Sequence, residues 1–70
     1  MTVIETLAYE RETIIIALDI INGDILRNIN AGKSTASLKD QRAQMETMLF
    51  DLDDMAATLF GQAAWLEAVK

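Results

Sequence analysis

Seventy residues suit a single domain, in the size range where one apolar core seldom supplies enough stability without disulfides, a metal or oligomerisation. The absence of cysteine and histidine excludes disulfides and removes the ligands of the usual zinc, haem and thiolate chemistries. A hydrophobic fraction of 51% is ample for a core and argues against disorder despite a net charge of -5, which leaves oligomerisation as the remaining source of stability.

At the start of the chain, Met1-Thr2-Val3-Ile4-Glu5 has no basic region of the kind that opens a secretory leader. The most apolar run, Ile14 to Ile21, contains Asp19 and is far shorter than a bilayer span, so the expectation is a soluble protein, by default cytoplasmic, with no membrane segment.

Proline is absent, and Ala, Leu, Met, Glu and Gln favour helix, most clearly after position 38. Steps of three and four from Ile4 give Ile4, Leu7, Arg11, Ile14, Leu18, Ile21 and Ile25, with Ala8, Ile15 and Ile29 widening the stripe. This predicts a helix over about residues 2–31. Asn22-Gly23-Asp24 is a turn signal that would split it, but Ile25 and Ile29 stay in phase with the stripe before it, so a continuous helix is preferred.

The breakers and caps collect in Asn30 to Ser37. Gly32 suits the left-handed position just past a helix end, and Ser37 with Asp40 resembles a capping box, which predicts a turn over about 32–36. A second stripe runs Leu38, Met45, Met48, Leu52, Met55, Leu59 and Leu66, with Leu49, Ala56 and Ala63 beside it and Gln41 and Gln62 as polar interruptions. It predicts a helix over about 37–69, fraying near Gly61.

The expected fold is therefore all-α: an antiparallel two-helix hairpin of ~45 Å. A lone hairpin has one seam, and stripes this wide would stay largely in water, so the expectation is a homodimer that closes a four-helix bundle. The alternative is a loose monomer that folds on its partner.

Motifs that suggest chemistry are weak. Gly32-Lys33-Ser34-Thr35 matches the end of a phosphate-binding loop, but Arg27 stands where its first glycine belongs and a helix rather than a strand precedes it. Asp51, Asp53 and Asp54 lack the alternation and glycine of a calcium loop and read as a solvated helix face. Glu10 and Glu12 do not share a face, Glu46 has no acidic partner, and neither general acid–base work nor a Glu-x-x-His di-metal centre finds its histidine. No catalytic residue, metal ligand or cofactor is expected.

Between Arg27 and Arg42, four basic residues stand against Asp40 alone, a balance of +3; since the chain totals -5, the rest carries -8. Four cations at one tip are too few to drive DNA binding, so direct nucleic-acid contact is not expected. The acidic excess allows an alternative, a DNA mimic that blocks a basic nucleic-acid-binding protein; a structural subunit of a larger assembly is another. In size and shape alone, with no motif matched, the reading resembles small helical-hairpin dimers such as plasmid copy-number regulators and short phage-encoded host-takeover proteins, and a regulatory or inhibitory role exerted on a protein partner is the expectation.

Apolar residues left over after the seam is assigned mark candidate partner contacts. On the first helix Tyr9, Thr13, Ile16 and Ile20 fall on the outer face, and on the second the outer line reads Ala43, Thr47, Phe50, Asp54, Ala57, Gly61, Ala64 and Ala68. Phe60 and Trp65 lie near it. The predicted partner-binding residues are Tyr9, Ile16, Ile20, Phe50 and Trp65, one outer stripe serving the dimer and the other the function.

Overall fold

The computed structural model describes all 70 residues, which form three α-helices and no strand: α1 over Val3–Asn30, α2 over Ala36–Phe60 and α3 over Gln62–Ala68. None is long and apolar enough to cross a membrane.

Thr2 starts α1 by accepting the Glu5 amide at its hydroxyl oxygen (3.3 Å) while its hydroxyl donates to the Glu5 carboxylate (2.8 Å). This satisfies one of the otherwise unpaired amides of the first turn and places an acid at the positive end of the helix dipole. The helix runs unbroken through Asn22-Gly23-Asp24, where an ion pair between Asp24 and Arg27 ties the turn signal back into the helix. It ends on a Schellman motif: Gly32, at φ 69°, donates to the Ile29 carbonyl (3.1 Å), and Lys33 donates to Asn28 (2.8 Å).

Ser34 then shapes the entry to α2. Its carbonyl accepts from Asn28 Nδ2 (3.2 Å) and its hydroxyl accepts the Ala36 amide (3.4 Å). The capping box expected at Ser37 and Asp40 does not form, because α2 has already begun at Ala36 with Thr35 at its cap.

Arg11 meets Asp53, and Asn22 meets Arg42, so the chain reverses direction between α1 and α2 and the two lie side by side in a body of 45 × 17 × 17 Å. The first-helix stripe faces the seam as its spacing predicts, with Ile21 and Ile25 buried and Ile4, Leu7, Ile14 and Leu18 half-buried; Ile29 stays exposed. On α2 the inward line is Leu38, Arg42, Met45, Leu49, Leu52 and Ala56, so the expected stripe is rotated. Met48, Met55, Leu59 and Leu66 are exposed. The most enclosed residue of the chain is Ala56, at 0% exposure, whose small side chain lets the helices close in where a larger one would hold them apart.

The second helix does not continue to residue 69. Gly61 adopts φ 88° and ψ 146°, a conformation reserved in practice for glycine, and α3 turns back to touch both α2 and α1. Trp65 is thereby carried inward.

Candidate interaction surface

Only Ile21, Ile25, Leu52, Ala56 and Trp65 are buried. The accessible surface is 5035 Å², against roughly 4,400 Å² expected from the surface–mass scaling of folded monomers at this mass. Twelve large apolar side chains are exposed, among them Tyr9, Ile16, Ile20, Met48, Phe50, Met55 and Leu59. A monomer that presents this much apolar side chain has an unusual surface, and the question is how it is distributed.

Much of it falls in two regions, which adjoin at Tyr9. The first is the outer face of α1, where Tyr9, Ile16 and Ile20 stand exposed at helical spacing and a shallow hollow is lined by Ile15, Ile16, Leu18, Asp19, Ile20 and Asn22. The second is a groove along one flank of the α1–α2 seam. Tyr9, Glu10, Thr13 and Ile14 supply one wall and Met48, Asp51, Leu52 and Met55 the other.

The opposite flank is covered at one end by α3. Asp53 Oδ1 accepts hydrogen bonds from Arg11 Nε and from Trp65 Nε1, both at 2.9 Å, so one carboxylate oxygen joins all three helices. Burying the indole removes roughly 200 Å² from water, on the order of 5 kcal/mol before ordering costs. The half-exposed ion pair contributes at most about 1 kcal/mol, so the ring provides the adhesion and the polar bonds fix its orientation. Asp53 and Met55, two positions apart on a helix, project about 160° from each other. The α3 flank and the groove flank are therefore opposite sides of the α1–α2 layer.

Of the five predicted partner-binding residues, Tyr9, Ile16, Ile20 and Phe50 lie on the surface, with Phe50 71% exposed. Trp65 is a correction: at 3% exposure it belongs to the core, because the break at Gly61 redirects it. The same break interrupts the outer line expected along the second helix, since Ala64 and Ala68 belong to α3. Phe50 is flanked by Thr47 and Asp54 on a largely polar face and forms no patch with Tyr9, Ile16 or Ile20 on the other helix. The acidic run also divides: Asp51 and Asp54 are exposed or nearly so, while Asp53 is engaged. Sequence reasoning missed the groove, because Met48 and Met55, expected on the inward stripe, are exposed and line it instead.

Gly32-Lys33-Ser34-Thr35 forms the end of one helix and the approach to the next, its backbone amides at Gly32 and Lys33 committed to α1 carbonyls. Comparisons with family models, curated proteins and solved structures give no match for this chain.

Proposed function

We propose that this chain is a non-enzymatic helical hairpin that pairs with a second copy into a four-helix bundle and acts by binding, and so inhibiting or otherwise modulating, another protein. The observation that carries the reading is the distribution of apolar surface: two adjoining exposed regions on a chain with only five buried residues. One region suffices for self-association. The other, the outer face of α1 at Ile16 and Ile20 with Tyr9 at its border with the groove, is then left for the partner, and its apolar composition fits a protein surface better than a phosphate backbone.

Sedimentation equilibrium tests the pairing. Twice the chain mass at micromolar concentration is expected, with a melting temperature that rises with concentration by mass action. For the partner surface, Ile16→Asp with Ile20→Asp is expected to keep the helical circular dichroism and the dimer mass while abolishing capture of the partner. A double variant that becomes monomeric would instead assign that face to the dimer. Capture that weakens steeply with salt would favour the DNA-mimic alternative, whereas an apolar contact is insensitive to it.

A further inference from the structure

Resting on the self-association proposed above, we infer that the second copy seats on the groove flank of the α1–α2 layer, the two rods running antiparallel about a two-fold axis near Ala17 and Met48. Three observations lead there.

The first is extent. The groove flank is one side of a body 45 Å long and 17 Å wide, about 770 Å² in projection. A standard stable interface buries about 800 Å² on each partner. The outer face of α1 alone is a single helix wide and offers roughly half of that. With α3 seated on the Arg11–Asp53 end of the opposite flank, the groove flank is the broad side left open along its whole length.

The second is symmetry. A two-fold axis across the rods lays each long helix on its own copy, so the residues at mid-length meet themselves. Met48 is the central residue of Ala36–Phe60, and Ala17 lies at the centre of Val3–Asn30, four positions beyond Thr13 on the same face. Ala17 is small enough to admit another helix at close range, and Met48 is flexible enough to fill the space beside its own copy. Both fit a position that must be self-complementary.

The third is charge, which sets direction. The turn end from Arg27 to Arg42 carries +3 and the rest -8. A parallel pair, which lays α1 of each rod on α2 of the other, would stack the acidic ends, Glu10 of each beside Asp51 of the other, within a Debye length. An antiparallel pair lays the cationic turn end of each rod along the acidic end of the other. On this flank it places Asp51 near the neutral Gln44 of the second copy, and Met55 near Gln41.

Because the chain contains no cysteine, a single engineered thiol reports its own symmetry. Met48→Cys, at an exposed site, is expected to give a covalent dimer rapidly with a short bifunctional thiol reagent. Ser34→Cys, at the turn, is expected to stay uncross-linked although it sediments as a dimer, since antiparallel tips lie about 45 Å apart. Cross-linking through Ser34→Cys would overturn the antiparallel direction. A dimer that links through Ile16→Cys but not through Met48→Cys would overturn the choice of face. Circular dichroism of each variant confirms that the helices are intact. If the unsubstituted chain sediments as a monomer at every concentration, the pairing itself fails, an outcome distinct from a dimer with the wrong face or direction.

Discussion

Asp53 accepts the indole N–H of Trp65 through the same carboxylate oxygen that holds the Arg11 guanidinium, so a single atom on α2 fixes both α1 and α3. Removing that oxygen strands two donors at once. Asp53→Ala is expected to cost about 1–3 kcal/mol, because the donors lose partners they cannot fully replace with water. For a domain of this size each kcal/mol lowers the melting temperature by roughly 4–8 °C. Asp53→Asn keeps an acceptor for the indole and gives up the ion pair, so a smaller loss is expected. Equal losses in the two variants, measured by thermal denaturation, would mean that the charge rather than the acceptor matters.

The two aromatic residues Phe50 and Trp65, both placed on the partner surface by the sequence, should behave oppositely. Trp65→Ala removes a nearly enclosed ring and is expected to cost about 3–5 kcal/mol, enough to unfold a domain of this size. Phe50→Ala removes a ring that already stands in water and is expected to change stability by less than about 0.5 kcal/mol. Urea titrations followed by circular dichroism check both, and a large loss for Phe50→Ala would show that this ring is covered in the assembled protein.

The contrast shows where the sequence was legible. The helical class followed from the absence of proline and the helix-forming composition, and the continuity of α1 followed from Ile25 and Ile29 holding phase beyond Gly23. Gly32 announced its left-handed turn. The inward face of α2 differs from the expected stripe because apolar residues occupy more than one face of that helix, and its most enclosed residue is Ala56, which has little hydropathic signal. The partners Arg11 and Asp53 lie 42 positions apart, and no local pattern links them. Trp65 was misplaced because Gly61 was read as a fray in one helix, while its positive φ starts another.

Gly61 therefore carries a prediction of its own. Nothing lies within 4 Å of where its Cβ would be, so the obstacle to a side chain is the backbone conformation and not space. Gly61→Ala is expected to cost about 1–3 kcal/mol or to straighten the chain into one longer helix. In the second case Trp65 loses its site. As the only tryptophan it reports directly: its emission should shift to the red, and an unshifted emission at unchanged stability would show that the break does not depend on glycine.

Gly23 is the reverse case, a glycine in ordinary helical conformation inside α1. A Cβ there would meet Arg27 Nη1 at 3.6 Å, an ordinary contact. Gly23→Ala is expected to stabilise the fold by about 0.5–1 kcal/mol through reduced freedom of the unfolded chain. A loss of stability in urea titration would mean that α1 has to bend at this point.

The short third helix also gives the α1–α2 layer sidedness. Two long helices side by side form a slab whose two broad faces are alike, and a slab that is adhesive on both could be stacked on again and again into an open-ended column. Folding seven residues back over one end of one face makes the two broad faces unlike, with the groove side left open along its length. If the chain pairs as proposed, growth stops when two open flanks meet, and the bend at Gly61 then favours a closed pair over a fibre.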